Sequence, residues 1–225
     1  MGNKIYAIIV AGGTGTRMGG QVAKQFLELE GKPVIVHTIE KFLELSTPPE
    51  IILVLPENSK QQWKEYCFEK NFTFRHTLVS GGITRFHSVK NALKYVQKGG
   101  IVAVHDGVRP FVDTNFLEEL YSIANKEGAV IPVITPSDSM RIKKADGSSA
   151  ITDRDNYVMV QTPQVFHTDV LINAYEQAYS PSFTDDASVV ESLGVEIYLV
   201  KGKATNIKLT TPEDLVLAKA LLSVF

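Results

Sequence analysis

Apolar residues fall in short unbroken runs along the chain: 5–11 (IYAIIVA), 51–55 (IILVL), 101–104 (IVAV), 129–134 (AVIPVI) and 195–200 (VEIYLV). Runs this short, rich in β-branched residues and without polar alternation, predict strands covered on both faces. Between them apolar positions recur at helical spacing, which predicts helices over 34–45, 58–69, 85–98, 115–127, 168–179, 185–193 and 212–224. Phe86, Val89, Leu93 and Val96 make one stripe of the third, and Gly128 and Gly194 close the fourth and sixth. The last helix has the clearest start: Thr211 is a cap, Pro212 suits the first helical position, and Glu213 and Asp214 suit the helix dipole. Strands alternating with helices imply an α/β protein, Rossmann-like, with a mainly parallel twisted sheet flanked by helices. One stretch breaks the rhythm. Residues 138–161 contain two extended segments around Asp146-Gly147, a hairpin signal, and are too polar for a core. They are expected to form a β-arm projecting from a single domain that spans 1–225.

Composition narrows the function. The 225 residues are 44% hydrophobic and 21% charged, which excludes disordered, collagenous and coiled-coil classes. With 23 Lys+Arg against 25 Asp+Glu and a net charge of −2, the chain has no global positive field for nucleic acid, whereas a small anion needs only a local patch. The one cysteine, Cys67, cannot form an intrachain disulfide, and His37, His76, His87, His105 and His167 lack zinc-ligand spacing, so a cytoplasmic, zinc-free protein is expected. The seven-residue run at 5–11 falls short of the roughly 18 residues a membrane span needs. Met1-Gly2 lacks the Ser or Thr at position six that myristoylation wants, since Tyr6 stands there.

The most informative segment follows the first strand: Ala11-Gly12-Gly13-Thr14-Gly15-Thr16-Arg17-Met18-Gly19. A glycine-rich turn after a buried strand lets backbone N–H groups reach phosphate oxygens. Met18 stands where the dinucleotide fingerprint requires glycine, and no Gly-Lys pair closes a Walker loop. What remains, GGxGxR followed by Lys24-Gln25-Phe26, flanks the loop with cations seven residues apart. That arrangement suits a triphosphate attacked at its α-phosphorus, where charge builds on the phosphoryl oxygens. A second segment, His105-Asp106-Gly107-Val108-Arg109-Pro110, also ends a buried strand. Asp106 there can hold Mg²⁺ against phosphates and Arg109 can meet a second phosphate, or the two can simply pair around a turn. Gly81-Gly82 before Ser88 can read a base edge or just start a capped helix, and Lys208 is a lone cation near the last helix.

Together these motifs resemble the 2-C-methyl-D-erythritol 4-phosphate cytidylyltransferases of the non-mevalonate isoprenoid pathway. The likeness covers essentially the whole chain and includes Gln161-Thr162-Pro163-Gln164, Thr184-Asp185-Asp186-Ala187-Ser188 and Asn206-Ile207-Lys208. It implies that Arg17 and Lys24 stabilise the transition state and that Ala11, Gly12, Gly13, Gly15, Gly82 and Ser88 hold CTP. Asp106 would assist the magnesium-bound nucleotide. The resemblance further implies that Arg109 and Lys208 bind the polyol phosphate, and that Ser139 and Arg154 reach it from the β-arm of the other subunit of a homodimer. Three positions depart from the family pattern: Ser139 replaces a commoner threonine, Ala23 a proline, and Ile83 an acid. A ribitol 5-phosphate cytidylyltransferase and a non-catalytic nucleotide-binding protein are the alternative readings; Asp153-Arg154 and Thr184-Asp185-Asp186-Ala187 favour the first family over the ribitol enzyme, and intact Arg17, Lys24 and Asp106 speak against a non-catalytic protein.

Overall fold

The structure, a computed structural model, describes residues 4–12 and 26–223. Four parallel strands form one half of the main sheet: β1 (Ile5–Val10), β4 (Glu50–Leu55), β5 (His76–Ser80) and β6 (Ile101–Asp106), in the order β6-β1-β4-β5 with β5 at the edge. A minor pair, β2 (Glu28–Leu29) and β3 (Lys32–Pro33), lies apart. Successive residues of a strand face opposite sides, and here both sides are buried. Ala7, Ile9, Leu53 and Ala103 pack with α1 (Val34–Leu43), α2 (Lys60–Glu69) and α4 (Thr114–Glu127). Tyr6, Ile8, Val54 and Val104 pack with α3 (Arg85–Leu93), α5 (Thr168–Ala174) and α6 (Asp186–Glu191) on the other face. That double coverage is why the strands read as unbroken apolar runs.

Beyond β6 the sheet becomes mixed, while the sheet as a whole stays mainly parallel as expected. β7 (Ala129–Ile134) leads into a hairpin rather than a crossover helix, so the returning chain runs antiparallel. It first forms β10 (Met159–Val160) against one end of β7, then β11 (Gln164–His167) between β6 and β7. β12 (Tyr198–Lys201) pairs with the opposite edge of β7 in parallel. The hairpin consists of β8 (Arg141–Lys143) and β9 (Ser149–Ile151), joined through Asp146-Gly147 with Gly147 at φ +84°. It forms its own two-stranded sheet and is largely exposed, but the extended tail assigned to it by sequence does not all belong there: Met159–Val160 rejoins the main sheet.

Other boundaries shift for local reasons. The strand expected at 101–104 continues to Asp106, because His105 and Asp106 are buried polar residues that interrupt the apolar run but not the ladder. The helix expected over 85–98 ends at Leu93, although Val96 remains buried. β5 and β11 have no counterpart among the expected strands; their sequences, HTLVS and QVFH, are short and partly polar. The closing helix α7 (Pro212–Leu222) starts with the expected cap: the Thr211 side chain accepts from Asp214 N, within a capping box.

Candidate active site

The carboxyl ends of β1, β4, β5 and β6 lie side by side and are stitched by backbone bonds. Ala11 N donates to Val54 O at 2.9 Å, Gly81 N to Leu55 O at 2.8 Å, and Gly107 N to Val10 O at 2.9 Å. Ligands of open α/β sheets bind beyond such strand ends. Close approach explains two of the glycines here: a Cβ on Gly107 would lie 2.9 Å from the Ala11 Cβ, and one on Gly82 would run into His87. The Gly81-Gly82 turn is held by Ser88, whose Oγ accepts from Gly82 N at 3.0 Å and donates to Thr84 O at 3.0 Å. Thr84 in turn caps α3 by accepting from His87 N. A cleft of ≈ 220 Å³ opens over this surface, walled by Ala11, Gly12, Gly82, Ile83 and Ser88 and floored by Arg85, Asp106 and Lys208.

Asp106, at the last position of β6, is the hub. Its Oδ2 lies 2.8 Å from Lys208 Nζ and 3.5 Å from Arg109 Nε, and its Oδ1 lies 3.7 Å from Arg85 Nε. Burial by itself would raise the carboxyl's pKa. The charges of Arg85, Lys208 and Arg109 outweigh that and hold it well below the usual carboxylate range. Arg85 is also gripped from behind: its Nη2 lies 2.6 Å from Oδ2 of Asp186, a fully buried residue whose Oδ1 accepts from the Tyr175 hydroxyl at 2.6 Å. Burial opposes the Arg85 charge, but Asp186 and Asp106 more than compensate and raise its pKa. Three cations converge on the single carboxylate of Asp106, a local positive patch that suits an anionic ligand, with Asp186 behind Arg85 and Asp185 in the adjoining cleft offsetting part of it.

A second cleft of ≈ 290 Å³ shares Arg85, Asp106 and Lys208 with the first and adds Arg109, Gln161, Thr162, Gln164 and Asp185. Its far wall is a buried polar network. Arg109 Nη1 donates to Asn206 O at 2.7 Å, Gln161 Nε2 donates to Lys203 O at 2.8 Å, and Asn206 Nδ2 donates to Thr162 O at 2.8 Å. Arg109 Nε is buried facing Asp106 Oδ2 at 3.5 Å, a long ion pair that falls short of a hydrogen bond. Lys208 is placed by its neighbour Leu209, which donates its N–H to Val108 O at 2.9 Å and packs with Leu29, Phe111 and Ala218 of α7.

His105 supports the same loop. Arg109 O, a carbonyl 3.1 Å from His105 Nε2, can only accept, so the ring proton of the neutral imidazole sits on Nε2. Nδ1 then accepts from the Thr162 hydroxyl at 3.1 Å, whose Oγ1 in turn accepts from Asp106 N at 3.1 Å. Burial pushes the imidazole down to about 4, outweighing the opposing effects of Arg109 O and Asp106, while the Arg109 and Lys208 charges add the smallest contributions to the lowering. It is a neutral structural group joining Asp106 to Arg109.

The structure thus brings together Ala11, Gly12, Gly82, Ser88, Asp106, Arg109 and Lys208 from the residues singled out by sequence. Arg109 lines only the second cleft, whereas Lys208, read from sequence as a lone cation, lines both. Asp106 and Arg109 do pair, the plain alternative raised above, but the pair is loose and shares the carboxylate with Lys208 and Arg85. Gly13, Gly15, Arg17, Ala23 and Lys24 lie outside the described residues. Ser139 and Arg154 sit together on the hairpin, in a hollow with Met140, Ile151, Thr152 and Asp153, and line neither cleft of their own chain. Sequence reasoning assigned no role to Arg85, Asp186, Tyr175, His105 or Asn206. Arg85 and Asp186 each stand at the first turn of a helix inside a motif, but their pairing spans 101 positions and only folding reveals it.

Comparisons with known proteins agree with this layout. The family model described as IspD, 2-C-methyl-D-erythritol 4-phosphate cytidylyltransferase, matches residues 5–224. A protein of that name from Phocaeicola vulgatus is 50% identical over 217 residues, covering 96% of this chain and 99% of that protein. Its namesake from Porphyromonas gingivalis is 47% identical over 224 residues, with 99% and 100% covered. The crystal structure of 4-diphosphocytidyl-2C-methyl-D-erythritol synthase from Anaerococcus prevotii superposes with a TM-score of 0.83 at 29% identity, covering 98% of this chain and 99% of that one. Among the described residues no helix is long and apolar enough to cross a membrane. With the match running through every strand end that builds the two clefts, the chain belongs to the 2-C-methyl-D-erythritol 4-phosphate cytidylyltransferase family.

Proposed function

We propose that this chain transfers the cytidylyl group of CTP to 2-C-methyl-D-erythritol 4-phosphate, giving 4-diphosphocytidyl-2-C-methyl-D-erythritol and pyrophosphate. The observation that carries the reading is the pair of clefts meeting over Asp106, Arg85 and Lys208. One cleft is glycine-walled, which lets a nucleotide approach the backbone; the other is lined by the cations Arg109 and Lys208, which suit a second phosphate. An oxygen of the acceptor phosphate forms the new bond to the α-phosphorus, the bond to the β-phosphate oxygen breaks, and pyrophosphate leaves. The acceptor phosphate has a second pKa near ~6 and is mostly a dianion at neutral pH, so no general base is required. Arg17 and Lys24 carry the transition-state charge in this reading.

Magnesium belongs to the proposal. Among the described residues no three His, Cys, Asp or Glu side chains converge, so the donors fit an ion shared with substrate phosphates through one carboxylate rather than a cage made by protein alone. Asp106 would hold it through Oδ1, the oxygen with the looser ion pair. When bound, the ion neutralises charge on the triphosphate.

A homodimer is also proposed. Ile142, Ile151, Tyr157, Val158 and Met159 are exposed apolar residues on or beside the hairpin that carries Ser139 and Arg154, which supports their meeting a second copy. A cytoplasmic location agrees with a single cysteine that has no intrachain partner. The decisive assay follows pyrophosphate release from CTP and Mg²⁺ with methylerythritol phosphate, with ribitol 5-phosphate, and with neither. Release with the first alone supports the proposal. Preference for ribitol phosphate, or no release with any acceptor, refutes it.

A further inference from the structure

Asp106 faces three cations, yet the three are not equally close. Lys208 is in contact at 2.8 Å, whereas Arg85 stands off Oδ1 at 3.7 Å. The reason lies behind Arg85. Its Nη2 is held at 2.6 Å by Asp186, at the first turn of α6 and fully buried, and Asp186 is itself fixed by the Tyr175 hydroxyl at 2.6 Å. Tyr175 stacks on Phe86, the residue next to Arg85, with ring centroids 4.7 Å apart, so the tether is rigid at both ends. A guanidinium without that tether would close on the nearest carboxylate, which is Asp106.

We propose that Asp186 is a positioning residue that draws Arg85 back from Asp106 Oδ1, keeping that oxygen available to the nucleotide-bound cation while leaving the Arg85 charge at the partition between the two clefts. This inference rests on the two-cleft reading given above. Without the Asp186 charge, Arg85 closes on Asp106 and competes with the cation. Lys208 and Arg109, relieved of part of their hold on Asp106, then become freer for a phosphate. The two ligands should therefore respond with opposite signs.

Titration calorimetry on the full-length protein tests this with two probes, CTP with Mg²⁺ and inorganic phosphate. Asp186→Asn keeps the side-chain shape and removes the charge. It should weaken the binding of CTP with Mg²⁺ about tenfold and tighten phosphate several-fold, about what one nearby, partly screened charge supplies. In steady-state assays its turnover and its KM for the acceptor should fall together. Removing the guanidinium as well, in Arg85→Gln/Asp186→Asn, should restore most of the affinity for CTP with Mg²⁺, because nothing then crowds Oδ1. A general loss of structure lowers both affinities and gives no such rescue. Phosphate affinity that is unchanged or weakened in Asp186→Asn, or a double variant no better than the single one, overturns the proposal. If Asp186→Asn does not fold, Tyr175→Phe removes only one hydrogen bond of the tether and should show the same opposite shifts at about twofold amplitude; their absence there overturns it equally. Wild-type protein that binds neither probe would instead refute the two-cleft reading.

Discussion

Acidification from pH 6.5 toward 4 should destabilise this protein chiefly through His105. His105 is fully buried and neutral, with Nδ1 accepting from Thr162 and Nε2 donating to Arg109 O. Protonation would place a second ring N–H against the Thr162 hydroxyl, force that hydroxyl to turn, and charge a group with no access to water. Burial accordingly lowers its pKa from 6.5 to about 4. Between those values the unfolded chain takes up the proton and the folded chain does not, so stability is complete above about pH 6.5 and declines as the pH falls toward 4. At about 1.4 kcal/mol per tenfold change in proton affinity, the loss is about 2 kcal/mol at pH 5 and about 3 kcal/mol at pH 4. That is a large share of the roughly 5–15 kcal/mol that holds a typical domain folded. Asp106, whose pKa is held low by its cations, loses its contribution only below the ordinary carboxylate range, beneath this window. Urea unfolding at pH 7, 6, 5 and 4.5 for wild type and His105→Gln isolates the effect. The variant should be less stable at pH 7 yet show a flatter pH dependence. Curves that stay parallel from pH 6.5 to 4.5 would refute the assignment of the acid loss to His105.

Three further outcomes follow from the site. Arg17→Ala and Lys24→Ala should lower turnover about 10²- to 10³-fold while CTP binding changes little, since charge on the α-phosphoryl oxygens grows mainly in the transition state; a normal turnover with only a raised KM for CTP would contradict the role. Arg109→Ala should spare CTP affinity and abolish most acceptor affinity, whereas Lys208→Ala should weaken both, because Lys208, unlike Arg109, lines both clefts; calorimetry with each ligand separates the two patterns. Mixing the inactive variants Lys24→Ala and Arg154→Ala under subunit exchange should recover about a quarter of wild-type activity if the arm completes the partner's site across a two-fold axis; mass analysis showing mixed dimers without activity would place the arm's action within its own chain.

The repeated apolar runs and helical stripes determined the α/β class and the strands β1, β4, β6 and β7 without any tertiary information, because burial on both faces leaves an unbroken apolar run at the heart of each of those strands. The glycines and charges after β1 and β6 pointed to the strand-end surface from local pattern; at Gly107 a Cβ would crowd Ala11, and at Gly82, after β5, it would run into His87, so close packing of the turns themselves requires glycine there. What local pattern could not supply is direction and pairing. β11 runs antiparallel because its connection is a hairpin, a fact about where the chain returns rather than about QVFH itself. Likewise no local signal distinguishes Lys208 from an exposed lysine; it becomes part of the site because Leu209 is anchored under α7 and brings it to Asp106. Arg85 and Asp186 are separated by 101 positions, and their ion pair exists only because α3 and α6 cover the same face of the sheet. Electrostatic balance around one carboxylate depends on distances in space, and those are decided by packing.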